Sequence, residues 1–408
     1  MAVVLAYTAP AIGHLFPFSA LLQEMSARGH EIHVRTMASG MDLCLGQGFK
    51  AAPVDPRIEA LQSAETTRGV LRSAQETVRV LTERAAHEVD DVTDAVREVD
   101  PDVILVDANC WGAMSAAETQ SRPWLVFSPF IPYLRSPGSP PFGAGACPWP
   151  GPLGAVRNLG VGAVTRFVFD RPFRAGMRPV RAALGLPEVR SADELLRRAP
   201  RVLVPTARPF EYRHTDWGPT VDLIGPAIFD PPADPPEWLD DIDEPIVLVT
   251  TSSVGQADRA LIAAAIHAFE DDPVHVVASL PAEGGEGLLR RDRGVTLTRF
   301  VPHSPVLDRA VCVVTHGGMG VTMKALSRGI PVCAVPFGRD QFEVARRIEV
   351  ARCGIRLPAR RLSAPRLRAA VKAAMAMSDG AAEVAAGFTA TGGMRRGADI
   401  VEAHAVPV

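Results

Sequence analysis

The same order of elements opens the chain twice, and that repetition limits the fold more than any other feature of the sequence. Val3 to Ala6 is a short apolar run, Tyr7 to His14 a loop, and Phe16 to Ala27 a helical pattern with Leu21, Leu22 and Met25 on one face. Gly29 stands where a helix end favours left-handed backbone, and Glu31 to Thr36 reads as a second strand. Much later, Ile246 to Thr250 is again a strand, Thr251 to Gln256 a polar turn, Ala257 to Phe269 a helix and Val274 to Ser279 a strand. Each unit is a strand–helix–strand crossover of the kind that builds a parallel sheet. Between them Gly225 to Glu244 is rich in Pro and Asp, the composition of an exposed linker. The expectation is an α/β chain of two Rossmann-like, doubly wound parallel-sheet domains facing a cleft. The domains fall at residues 1–224 and 245–390, joined by a linker at 225–244. A tail helix at 391–408 is expected to return to the first domain.

With 408 residues, 47% of them hydrophobic, the chain can fill two such cores. Its formal net charge of -3 gives no electrostatic reason to expect nucleic acid or an anionic membrane as partner. Strand residues follow Met1 directly, without a basic and cleavable leader, and no apolar run approaches the ~18 residues of a membrane span. The six Cys form no C-x-x-C pair, and several lie in apolar runs where a reduced thiol packs as a small hydrophobe. These features predict a cytoplasmic protein without a membrane anchor, as a monomer or a homodimer.

The first turn, Thr8 to His14, lacks G-x-G-x-x-G, and the second strand ends Arg35-Thr36 without a ribose-binding acid, which argues against a nicotinamide cofactor. Arg57 to Val99 is helical and rich in Glu and Arg, Val103 to Val106 is a buried strand, and Asp107 stands at its carboxyl end, where open α/β sheets bind ligands. Trp111 to Thr119 is the next helix and Trp124 to Phe127 the next strand. Pro129 to Gly154 reads as a long loop dense in Pro and Gly, with Phe130, Tyr133, Phe142 and Trp149 interspersed. Such rings either line an apolar ligand site or anchor the loop to the core.

The most informative stretch is Val311 to Ala345. A β-branched run enters His316-Gly317-Gly318, a helix runs from Met319 to Arg328, Gly329 closes it, and Ile330 to Val335 leads to Arg339-Asp340-Gln341. Glycines at a strand-to-helix turn let a phosphate approach the backbone, where unpaired N–H groups and the helix dipole favour its charge. A diphosphate leaving group fits, with Asp340 and Gln341 addressing what the diphosphate carries.

Taken together, Gly13-His14 with Pro17, Asp107, Phe300-Val301-Pro302, His316-Gly317-Gly318, Gly329-x-Pro331 and Asp340-Gln341 resemble, in order and spacing, the family-one inverting glycosyltransferases of the GT-B fold. The likeness is greatest to actinobacterial enzymes that glycosylate antibiotics and other lipophilic natural products. The resemblance implies a hexose moved from a UDP- or dTDP-sugar, with UDP-glucose preferred, to an acceptor hydroxyl with inversion and no metal. It casts His14 as base and Asp107 as its partner. It places the donor on Ser252, Ser253, Phe300, Val301, His316, Gly317, Gly318, Gly320, Val321, Thr322, Asp340 and Gln341. Two positions depart from the pattern. Val321 stands where a phosphate-binding Ser or Thr is usual, with Thr322 as a possible substitute, and Lys324 stands where many UDP-sugar enzymes place a ribose-binding Glu.

For the acceptor, Ile12, Trp111, Met114, Phe130, Tyr133 and Phe142 form a candidate lining, although Met114 sits at helical spacing suited to the core. The plainer readings are a helix-start role for His14 and a cap of the helix near Trp111 for Asp107. Asp241-Ile242-Asp243 matches a D-x-D metal clamp only superficially, because it lies in the Pro-rich linker. A UDP-sugar epimerase of the same fold and a catalytically silent helper protein are the alternatives.

Overall fold

The computed structural model describes residues 1–63, 70–143, 145–149, 151–251, 259–280, 288–292 and 294–405. Its first sheet contains β1 (Val3–Tyr7), β2 (Glu31–Thr36), β3 (Lys50–Pro53), β4 (Val103–Asp107), β5 (Trp124–Phe127), β6 (Val202–Val204) and β7 (Val221–Leu223). They are parallel, in the order β3-β2-β1-β4-β5-β6-β7. The second sheet contains β8 (Ile246–Thr250), β9 (His275–Ser279), β10 (Leu288–Asp292), β11 (Val295–Thr298), β12 (Ala310–Thr315), β13 (Val332–Ala334) and β14 (Gly354–Arg356). Its order is β10-β11-β9-β8-β12-β13-β14, parallel except where β10 pairs antiparallel with β11 at the edge.

Both sheets are buried on both faces, which is why their central strands read as continuous apolar runs. Within β4, Val103 and Leu105 join the core beneath the helix Ile12–Ala27, while Ile104 and Val106 point to the core on the other face. Strand β8 divides likewise, Ile246 and Leu248 to one side, Val247 and Val249 to the other. The strand order reverses between β1 and β4 in the first sheet and between β8 and β12 in the second. At such a switch point the following helices leave on opposite faces and open a crevice beyond the strand ends.

Several local expectations change. The first helix begins at Ile12, not Phe16, so His14 lies in its first turn and Pro17 inside it. The expected long loop ends close to Gly154, and the stretch after it, unassigned from the sequence, is helical. Pro152–Thr165 is a helix continued by a π-turn at Arg166–Asp170 and a helix at Arg171–Ala183. Glycines and prolines mask the first part, but Phe173, Met177 and Arg181 recur at i, i+4 and i+8 and are buried, a readable signal. The tail helix expected at 391–408 is Gly393–Glu402.

That last helix packs on the first domain. Ala398 and Val401 share a core with Leu21 and Leu22, and Arg28 meets Asp399 at 2.7 Å and Glu402 at 2.8 Å. The chain thus crosses between the sheets twice. Phe229 packs in the first domain while Leu239 packs in the second; on return, Phe388 belongs to the second and Ala398 to the first. The crossings touch, since a Cβ on Gly225 would lie 3.0 Å from the Gly393 nitrogen. Among the described residues no helix is long and apolar enough to cross a membrane.

Candidate active site

The carboxyl ends of β1 and β4 place two side chains together at the first switch point. His14 Nδ1 lies 2.8 Å from Asp107 Oδ2, with the carboxylate fully buried and the imidazole partly exposed. Asp107 Oδ1 accepts the Asn109 N–H at 2.8 Å, which fixes the carboxylate plane. This is an Asx-type turn and not a helix cap; the residue preceding the helix Trp111–Thr119 is Cys110. An ionised carboxylate can only accept, so the contact selects the Nδ1–H tautomer and leaves a lone pair on Nε2. The ring of Phe130 stands 5.6 Å from the imidazole, centroid to centroid.

Support for the Asp107 turn comes from a buried pair on the helix Val70–Val99. Arg84 donates to Glu88 at 2.7 and 3.0 Å and to the Asn109 carbonyl at 3.3 Å, and Glu88 accepts the Gly112 N–H at 2.9 Å. Burial pushes the Glu88 carboxyl up, against the pull of Arg84. Glu88 thus places an acceptor oxygen on an N–H at the start of the next helix, whose own first turn holds no acid.

In the second domain, β12 delivers His316 and the glycine turn to the other switch point. Gly317 has φ +90°, and Gly318 precedes the helix Met319–Leu326 with no side-chain cap and no acid in the first turn. A Cβ on Gly318 would sit 2.5 Å from His316 Nε2. Desolvation brings the His316 imidazole down to about 4, opposed by a hydrogen bond to the Thr250 backbone, so it is neutral at pH 7. Gly320 is exposed with open space where its Cβ would be. Across the cleft, the helix Ile12–Ala27 touches the helix Met319–Leu326.

The other expected donor residues divide. Val321 is buried in the core, and the buried Thr322 hydroxyl donates to the Gly318 carbonyl at 2.8 Å, so it is turned away from the cleft and does not replace the missing phosphate-side hydroxyl. Val301 is buried and Phe300 half-buried at the end of β11. Ser252 and Ser253 lie outside the described residues. Burial pushes the Asp340 carboxyl up, opposed by a backbone hydrogen bond and by the charges of His14 and Arg339. Gln341 Oε1 accepts the N–H groups of Phe337 and Gly338 at 2.8 and 3.0 Å, shaping the turn that presents Asp340. Lys324 pairs with Asp230 of the linker, and Asp241 pairs with Arg291 at 3.0 Å.

On the first domain's side a cavity of about 450 Å³, mostly apolar, opens beside the aromatic loop. Trp111, Tyr133 and Phe142 line it, together with Leu159 and Phe169 of the unexpected helix. Phe130 links it to His14, because Phe130 and Tyr133 meet at a tilt with centroids 5.1 Å apart and Tyr133 meets Phe142 edge-on at 5.0 Å. Tyr133 is held by a 3.0 Å hydrogen bond to Asn109. Three expected lining residues are elsewhere, Phe130 being buried in the core between the cavity and His14. Met114 is fully buried in the core, and Ile12 packs with the core on the opposite face of the sheet. Both follow from helical periodicity: each side chain points where its helix meets the sheet. Asn109, Glu88 and Glu343 were not expected; an acid in the turn after Asp340-Gln341 was the one hint the sequence carried, and its burial is a property of the fold.

Comparison with known proteins identifies the family and the fold. Residues 261–392 match the family model of the erythromycin biosynthesis protein CIII-like C-terminal domain. The chain is 30% identical over 390 residues to 4'-demethylrebeccamycin synthase of Lentzea aerocolonigenes, covering 91% of each. Its fold superimposes on the glycotransferase of kitacinnamycin with TM-score 0.76 at 22% identity, over 99% of both chains. It also superimposes on the glycosyltransferase VinC, solved in complex with DTDP, with TM-score 0.71 at 19% identity over 98% of both. The chain is a glycosyltransferase and belongs to the natural-product glycosyltransferases of the GT-B fold, with a nucleotide sugar as donor.

Proposed function

We propose that the enzyme moves a hexose from a uridine or thymidine diphosphate sugar to a hydroxyl of a small lipophilic acceptor, with inversion at the anomeric carbon and without a metal. The observation that carries the reading is the 2.8 Å contact between His14 Nδ1 and Asp107 Oδ2 at the switch point between β1 and β4, with His14 on the helix that touches Met319–Leu326 of the second domain. The acceptor lies in the aromatic cavity with its hydroxyl beside His14. Nε2 takes the hydroxyl proton as the oxygen attacks the anomeric carbon, and Asp107 stabilises the imidazolium that forms. The bond from that carbon to the diphosphate oxygen breaks, and the leaving oxygen keeps its electron pair. Attack from the face opposite the diphosphate inverts the centre.

The uncapped N–H groups at the start of the helix Met319–Leu326 and the neutral His316 receive the diphosphate. Backbone donors carry this role because the Thr322 hydroxyl is spent on Gly318. Asp340 reads the sugar hydroxyls. VinC, which was solved with DTDP, supports a thymidine diphosphate donor as an option beside the uridine one.

The test is nucleotide release from UDP- and dTDP-sugars over a panel of phenolic and alcoholic acceptors, run with EDTA, with the product anomer read by NMR. Acceptor-dependent release that survives EDTA and gives the inverted anomer is expected. Loss of turnover in EDTA, or retention, would overturn the mechanism. Binding is read separately by thermal shift, since a nucleotide at ~100 times its Kd adds about 2.7 kcal/mol of stability.

Substituting Gly318→Ala forces the His316 ring aside, because its backbone tolerates alanine and only the ring stands in the way. Nucleotide affinity should fall about tenfold, the scale of one displaced donor to a charged group, with little change in unliganded stability. Unchanged affinity in the same thermal-shift series would remove His316 from the diphosphate site.

A further inference from the structure

We propose that Glu343 is a positioning residue that makes acceptor binding depend on the donor-side helix; the inference rests on the assignment of the acceptor and donor sites above. Glu343 lies in the first turn of the helix Gln341–Val350, directly after the Asp340-Gln341 pair, and is almost fully buried. Its Oε1 accepts the N–H groups of Gly143 and Gly145, both at 2.9 Å. These residues belong to the first domain and follow Phe142, which lines the cavity. The same helix grips the loop again through Arg346, whose Nε donates to the Gly145 carbonyl at 2.7 Å. A Cβ on Gly145 would stand 2.2 Å from the Phe342 carbonyl oxygen, so loop and helix meet backbone to backbone.

The other oxygen of Glu343 is held in turn. Oε2 meets Arg347 at 3.1 Å, and Arg347 forks onto Glu211 of the first domain at 2.7 and 2.9 Å, with its guanidinium 4.2 Å from the Tyr212 ring centroid. A carboxylate that accepts two N–H groups and one guanidinium has a fixed position, since each bond is charge-assisted. The loop that carries the Phe142 wall of the acceptor cavity is therefore held by a helix of the other domain, and that helix begins at the residues assigned to the donor sugar. A shift of the helix on donor binding moves Phe142 through Glu343. By linkage, donor and acceptor then tighten each other's binding by the same factor. Ordinary domain adhesion is already provided by the Glu211–Arg347 pair; the added bonds of Glu343 go specifically to the cavity loop.

Substituting Glu343→Gln keeps the size of the side chain but replaces one acceptor oxygen by a donor, so either the loop or Arg347 is mispaired. With the best acceptor of the panel, the acceptor KM should rise about tenfold while kcat at saturating acceptor stays within about threefold. The thermal shift given by UDP or dTDP alone should be unchanged. In the wild type the nucleotide should lower the acceptor's Kd, and in the variant that effect should vanish. Gly145→Ala, which leaves every charged group in place, should reproduce the acceptor effect; it decides the matter if Glu343→Gln folds poorly. Wild-type acceptor KM in both variants, or a fall in kcat with no change in KM, would overturn the proposal. Absence of acceptor-dependent nucleotide release from the wild type would instead refute the catalytic assignment on which it rests.

Discussion

Replacing His14 by alanine is expected to reduce turnover by at least ~10²-fold, the usual scale of a lost general base, while the thermal shift given by UDP or dTDP stays at its wild-type value. The two readouts separate chemistry from binding because His14 belongs to the first domain and the glycine turn to the second. The companion change Asp107→Asn preserves shape but offers an amide to a ring that needs an acceptor at Nδ1. The imidazole then either loses its partner or adopts the tautomer with the proton on Nε2, where it cannot act as base. Its activity should fall at least as far as that of His14→Ala, and the double variant should be little worse than either, since the two residues act as one unit. Near-normal turnover in His14→Ala would remove the dyad from the mechanism.

The second large effect is on stability. Arg84→Met should destabilise the first domain by about 3–5 kcal/mol, because it leaves Glu88 buried without its cation. Arg84 and Glu88 are both almost completely inaccessible, and Arg84 also holds the Asn109 carbonyl and Gln62. Urea titration should show a lower midpoint for the transition of this domain. The sign with pH follows from burial, which raises the Glu88 carboxyl in the folded state. A raised acid binds its proton more tightly when folded, so the variant is least impaired at low pH. The deficit grows as pH rises above ~4.3, the ordinary Glu value. Substituting both residues with Met should recover much of the loss, whereas a deficit equal to that of Arg84→Met would mean that the cation acts mainly on the 107–110 turn.

What the sequence reveals here depends on whether a residue's role is local or distributed. The strands β1, β4, β8 and β12 are legible because burial on both faces demands unbroken apolar runs, and these four flank the two switch points. Asp107 and His316-Gly317-Gly318 stand out for the same reason, each at the end of such a strand, whereas His14 is singled out only by the family resemblance and reads by itself as a helix-start residue. The three-residue strand β14 carries too few residues for a pattern of its own, whereas β13 falls within the apolar run Ile330 to Val335. The helix from Pro152 is hidden because its glycines and its apolar residues on several faces give no single stripe. Thr322 was readable as a hydroxyl near the phosphate turn, but its inward rotation onto Gly318 is a matter of three dimensions. Glu343 escaped because its partners lie some two hundred residues earlier in the chain.

The double crossing between the sheets has a consequence for how the cleft can open. Asp230, just past the first crossing, is fastened to Lys324 and Ser304 of the second domain, and Arg28 fastens the tail helix to the first. The second domain is thus tethered at both of its ends, by short segments that meet at Gly225 and Gly393. Tethers this short keep each half of the site at a high effective concentration with respect to the other, in the mM range or above. Opening the cleft to admit a nucleotide sugar therefore breaks contacts without ever losing the partner, and reclosure is an intramolecular event whose rate does not depend on how dilute the enzyme is.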